Sequence, residues 1–184
     1  GAIKKTSDPL DFAIHGEGFF ELETPDGQTL YTRNGQFQLN INGELTNTEG
    51  FVVQGVNGPI QLDPSDDISN LRISPDGEIT IDVNNGSERT ILGRFRIVAP
   101  EDQSILTKVS SSMFKVEKGK ENMIAEVDTV DPNFQIINGS LETSNASPIK
   151  DMVNMVQSMR EFEMGQKMLK MLDESGKQLR QKLG

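Results

Sequence analysis

The sequence holds no cysteine, no tryptophan and a single histidine, His15, in 184 residues. Without cysteine there is no disulfide, thiolate nucleophile, thiolate zinc site or iron–sulfur cluster. One histidine builds no His-rich metal site and leaves few routes to nucleophilic catalysis. No apolar run approaches the roughly 18 residues that a spanning helix needs, so no membrane insertion is expected. No secretory leader is legible either. Positive charge is scarce: 18 Lys and Arg stand against 28 Asp and Glu, a net of −10. Nucleic acid is therefore a poor match, because neutralising phosphates takes clustered cations. Aromatic residues make up 5% and apolar residues 34%, a lean supply for a core. Val, Ile, Leu and Phe nevertheless recur throughout, which separates the chain from disordered compositions. The length suits one domain, or one domain with an appendage. The chain opens Gly1-Ala2 without an initiator Met, so a natural N-terminal segment is expected to precede it.

What is present changes character once. From Leu10 to about Leu141, turn signals recur: Pro25-Asp26-Gly27, Asn34-Gly35, Asn42-Gly43, Glu49-Gly50, Asn57-Gly58, Pro75-Asp76-Gly77, Asn84-Asn85-Gly86 and Asn138-Gly139. Asn-Gly and Asp-Gly supply the positive φ that tight hairpins require. Gly27, Gly35 and Gly43 are accordingly expected at turn or bulge positions with φ above zero, setting the register of adjacent strands. Between the signals lie alternating stretches such as Gln36-Phe37-Gln38-Leu39 and Glu78-Ile79-Thr80-Ile81-Asp82-Val83. Period-two patterning reads as half-buried strands. Many short strands at this spacing predict a mainly β domain, a β-sandwich or an open barrel of antiparallel strands. With no helical pattern between the strands, parallel βαβ folds are excluded.

From Ser147 the pattern is helical. Ser147-Pro148 places an N-cap before Pro at the first helical position, with Asp151 in the first turn. Met152, Met155, Met159, Phe162, Gln166 and Leu169 then step by 3, 4, 3, 4 and 3, a heptad seam with one polar position. Ile149, Val153, Val156, Met168 and Leu172 widen the stripe, so the predicted C-terminal α-helix wants more than one neighbour. From Pro148 to about Glu174 it would be roughly 40 Å long, more than a small β-domain can cover. Charge divides in the same place: residues 148–184 carry a net of +2 and the remainder −12. Six of the eight methionines lie between Met152 and Met171, and methionine adapts to irregular apolar partners.

Sites of chemistry are faint. Gly16-Glu17-Gly18 begins like a phosphate loop, yet it lacks a third glycine and a following helix, and reads as a tight turn feeding a strand. His15 has no partner constellation and reads as a surface or edge residue. Asp63, Ser65, Asp66 and Asp67 resemble part of a calcium loop without its glycine and terminal glutamate, and read as a solvated acidic turn. Glu21, Glu23 and Asp26 are a pairing that any chain with 28 acids offers. No metal or cofactor is assigned and no enzyme is indicated.

Two blocks carry a family resemblance. Leu10-Asp11-Phe12-Ala13-Ile14-His15-Gly16-Glu17-Gly18-Phe19-Phe20, continuing through Pro25-Asp26-Gly27 and Tyr31-Thr32-Arg33-Asn34-Gly35, resembles the opening of the β-domain in bacterial flagellar rod and hook proteins. Gly139-Ser140-Leu141-Glu142-Thr143-Ser144-Asn145, then Met152-Val153, Met155 and Arg160-Glu161-Phe162-Glu163, is similar to that family's C-terminal helix motif. Within the family the length suits a rod protein better than the longer hook protein. Phe162 in place of the common Tyr, Pro148 and the early Leu92-Gly93-Arg94 segment lean toward the proximal rod type, with the distal type as alternative. The family's Asn-rich N-terminal helix is not in this sequence; Asn138 and Ala146 stand where Gln and Val are usual.

The resemblance implies an axial structural protein, exported through the flagellar type III apparatus without a cleaved signal and located in the basal body outside the cytoplasm. It implies terminal helices that pair as a coiled coil, with other rod and hook-family subunits as partners; the unpaired stripe also allows self-association. Residues 1–9 read as a linker, 10–141 as the β-rich domain, and 142–184 as a linker followed by the coiled-coil helix. Two other classes compete: a secreted β-rich binding module, and a hydrolase built on a β-sandwich.

Overall fold

Alternating stretches parted by glycine turns can bury one face only by pairing side by side, and the strands do so. The computed structural model describes residues 1–63, 65–83, 88–129, 131–143 and 164. Residues Gly1–Thr143 form one compact unit. Among the described residues its strands are β1 (Ile3–Lys5), β2 (Asp11–His15), β3 (Phe19–Glu23), β4 (Thr29–Thr32), β5 (Gly35–Leu39), β6 (Leu45–Asn47), β7 (Val52–Gly55), β8 (Gly58–Pro59), β9 (Leu71–Ile73), β10 (Glu78–Val83), β11 (Glu88–Arg94), β12 (Ile97–Pro100), β13 (Leu106–Lys108), β14 (Met113–Val116), β15 (Ile124–Glu126), β16 (Gln135–Asn138) and β17 (Ser140–Glu142). Their described pairings are antiparallel.

Twelve strands make one sheet along the path β13-β14-β4-β3-β7-β6-β5-β2-β16, with β12, β15 and β8 attached beside it. β13 and β16, the ends of that path, are not paired with each other, so the sheet is an open half-barrel. The mainly β class and the short antiparallel strands are as expected from the sequence. β9, β10 and β11 form a second sheet, and β1 with β17 a two-stranded ribbon. Within residues 1–9, read from sequence as a linker, Ile3–Lys5 thus form a strand. The expected long helix and its seam, Met152, Met155, Met159, Phe162, Gln166 and Leu169, lie outside the described residues.

Four phenylalanines fill the centre. Phe12, Phe20, Phe37 and Phe95 are all buried and meet largely edge to face: Phe12–Phe95 at 5.0 Å, Phe20–Phe37 at 5.1 Å and Phe20–Phe95 at 5.1 Å. Such pairs add about 0.5–1.5 kcal/mol each beyond the area they bury. In this way a chain with few aromatics concentrates them where they count.

Four loops share one plan: Thr24–Gln28, Asn40–Glu44, Asn47–Phe51 and Ser74–Glu78. In each, the first residue's carbonyl accepts from the glycine N–H at 2.9–3.0 Å, and its own N–H donates to the fifth residue's carbonyl at 2.9–3.0 Å. The first residue's side-chain oxygen also accepts from the fifth residue's N–H, at 3.0, 3.0, 2.9 and 3.1 Å in turn. The glycine is left-handed each time, with φ of +73° at Gly27, +79° at Gly43, +85° at Gly50 and +85° at Gly77. This is a three-residue hairpin loop closed by a glycine bulge.

Gly35 departs from the expectation. It is absent from the positive-φ glycines and opens β5, where Phe12 is its partner in β2. Asn34-Gly35 joins no hairpin, because β4 pairs with β3 and β14 while β5 pairs with β2 and β6. The requirement for glycine is steric: a Cβ here would run into the Phe12 carbonyl oxygen and stand 3.1 Å from Cε2 of Phe20. Glycine is required at this position for close approach and not, as expected, for a positive φ.

Candidate functional site

The β2–β3 corner is made by Gly16-Glu17-Gly18, whose glycines take φ of +112° and +119°. That path turns backbone carbonyls toward Arg33, which follows β4. Arg33 Nη1 donates to the carbonyls of Gly16 at 2.9 Å and Gly18 at 2.8 Å, and Nη2 to that of Ile14 at 3.3 Å. Its Nε donates to Oε2 of Glu142 at 2.9 Å. Thr32 steadies the corner that delivers Arg33: its hydroxyl donates to the Ser112 carbonyl at 2.8 Å and accepts from the Asn34 N–H at 3.0 Å. A planar guanidinium suits this work because it holds five donors in a fixed fork.

Glu142 lies on β17, which runs against β1 with Ile3 opposite Glu142 and Lys5 opposite Ser140. Beyond the ladder, both the N–H and the hydroxyl of Thr143 donate to the Ala2 carbonyl, at 2.8 and 2.7 Å. At the other end Thr6 N–H donates to Gly139 O at 2.7 Å, and Asn138 Nδ2 to Pro9 O at 2.6 Å. The chain therefore enters and leaves this unit on adjacent antiparallel strands. Burial pushes the Glu142 carboxyl up, but hydrogen bonds from the Gly1 amino group and Arg33 outweigh it and hold its pKa below the ordinary range.

Among the candidates for chemistry named from the sequence, Glu21, Asp63, Asp66 and Asp67 have local structural partners. Glu21 is half-buried, and burial raises its pKa while Arg96, 3.6 Å away, opposes the rise. Glu23 and Asp26 are exposed. Asp63 accepts from the N–H of Ser65 at 2.9 Å, and Asp67 caps a short 3₁₀ turn through Ser69 N–H at 3.0 Å. Their carboxylates serve the loop itself. Among the described residues no group of three or more His, Cys, Asp or Glu is placed to hold a metal ion, and no helix is long and apolar enough to cross a membrane. His15 ends β2, exposed, opposite Gln135. Nothing in Tyr31-Thr32-Arg33-Asn34-Gly35 marks Arg33 in the sequence, because its four bonds depend on segments far apart in the chain.

Those segments are the ones that carry the family resemblance. A model of the flagellar hook protein FlgE/F/G D1 domain matches residues 13–81, and one of the flagellar basal body rod FlgEFG protein C-terminal region matches residues 137–181. Flagellar basal-body rod protein FlgF of Salmonella typhimurium is 31% identical over 177 residues, covering 95% of this chain and 68% of the relative. The chain belongs to the flagellar basal-body rod protein family. FlgF of Escherichia coli K12 is 30% identical over 178 residues, again 95% and 68%. FlgG of Buchnera aphidicola subsp. Acyrthosiphon pisum is 29% identical over 182 residues, 98% of this chain and 68% of the relative. The chain spans about two thirds of the length of these relatives. It is a structural subunit of the FlgF/FlgG rod type.

Proposed function

We propose that this subunit has no enzymatic activity and builds the proximal part of the rod through its terminal segments. The observation that carries the reading is the β1–β17 ribbon: entry and exit strands lie side by side, so segments before Gly1 and after Thr143 start from neighbouring points. Two helices launched together can pair at once, and Met152, Met155, Met159, Phe162, Gln166 and Leu169 supply the seam of one of them. Neighbouring rod and hook-family subunits, or further copies of this chain, are the partners of the wider stripe. The location is the basal body outside the cytoplasm, reached through the flagellar export apparatus. A chain without cysteine suits threading in an unfolded state.

The test is deletion of the gene, with motility scored and basal bodies purified. Loss of swimming with rods missing or truncated is expected. Intact rods and normal swimming in the deletion strain would overturn the reading in favour of a binding module.

A further inference from the structure

We infer that Arg33 is the positioning residue that anchors the outer end of the β1–β17 ribbon to the β2–β3 corner of the β-domain. The inference rests on the rod reading above and deepens it. The β1–β17 ribbon is a sheet of its own, outside the twelve-stranded one, and because two strands alone are marginal in water it depends on its ties to the body, where β17 lies against β2 and β5 and Ser140 is buried. Backbone and amide bonds tie its inner end to the body, through Thr6 to Gly139, Gly139 to Asp11 and Asn138 to Pro9. None of those bonds reaches the outer end, next to Ser144.

The Arg33 fork does. Three of its bonds grip the β2–β3 corner at Ile14, Gly16 and Gly18, and the fourth grips Glu142, two residues before Ser144. Arg33 and Glu142 are 29% and 17% exposed, so the bond is partly shielded from water and from screening salt. The Gly1 amino group also reaches Glu142, but in a chain that continues before Gly1 that nitrogen is an uncharged amide. The Arg33 bond does not depend on it. A lysine offers no planar fork and cannot span a three-carbonyl corner and a carboxylate together.

Hydrogen exchange on the 184-residue chain tests this with Arg33→Lys and, should that variant fold poorly, Glu142→Gln, which leaves the corner bonds intact and removes the carboxylate charge that Arg33 and the Gly1 amino group share. Amides in residues 2–6 and 140–143 should exchange about tenfold faster, while those of β3, β4 and β10 stay within about twofold of wild type. Unchanged ribbon exchange, or an equal rise across the whole domain, would overturn the positioning role. The companion readout is the yield of basal bodies from cells whose chromosomal copy carries Arg33→Lys. A loosened ribbon with full rod yield overturns the positioning role in assembly and leaves the rod reading standing, since that reading falls only if the deletion strain keeps its rods. A loosened ribbon with reduced yield supports both.

Discussion

Gly27 has open space where a Cβ would stand and a φ of +73°, whereas Gly35 is extended and has its Cβ position occupied by the Phe12 carbonyl. The two glycines should therefore fail differently. Gly27→Asn should melt within about 0.5 kcal/mol of wild type, because asparagine tolerates the left-handed region and nothing blocks its side chain. Gly35→Ala should lose about 1–3 kcal/mol, since overpacking at a strand backbone moves β5 off β2 and disturbs the phenylalanine cluster. Urea melts of the two variants decide it, and a Gly35→Ala as stable as wild type would show that β5 can shift freely. Glu142 adds a pH signature. Its folded pKa lies below its ordinary value, so its contribution is present above about pH 4.3 and is lost as the pH falls through the folded pKa. Stability of Glu142→Gln should fall less steeply below that pH than stability of wild type, in parallel acid titrations followed by circular dichroism. The asparagine–glycine pairs were legible as punctuation, yet a pair alone does not say whether glycine serves φ or close approach. That depends on what lies across the sheet.

The unit that recurs among the elements is the five-residue loop, and its first residue does most of the work. Asn47 is the strongest instance: it is buried, its Oδ1 accepts from the N–H of Glu49 at 3.0 Å and of Phe51 at 2.9 Å, and its Nδ2 reaches the Met113 sulfur at 3.4 Å. Asn47→Ala should cost about 1–3 kcal/mol, because two backbone donors lose an acceptor in a buried setting. Thr24→Ala, in an exposed loop of the same plan, should cost about 0.5–1.5 kcal/mol. Thermal melts that rank the two the other way would show that burial does not set the cost. This plan is readable in sequence as Thr, Asn or Ser three residues before Gly, between alternating strands. β1 was not readable: Ile3-Lys4-Lys5 is too short for periodicity, and its partner β17 lies at the far end of the domain. Arg33 was hidden for the same reason, since one arginine in a turn motif carries no sign of the carbonyls and carboxylate that fold around it.

At the scale of the whole molecule, the seam and the domain answer to different forces, and a pair of variants separates them. Met155→Asp and Phe162→Asp place a charge on the predicted seam, where pairing would bury it without a partner at about 3–5 kcal/mol. The Gly1–Thr143 unit is a compact body in its own right, so its melting temperature should not move in either variant. Basal-body yield and swimming should nevertheless collapse. Gly35→Ala should do the reverse in cells at low temperature: a lower melting point, with rods still formed while the domain stays folded. Swimming by a Met155→Asp strain with intact rods would remove the helix-pairing mechanism, whatever the β-domain does. Were Met155→Asp instead to lower the domain's melting temperature, the stripe would belong to the core of this chain, and assembly would have to run through the β-surface.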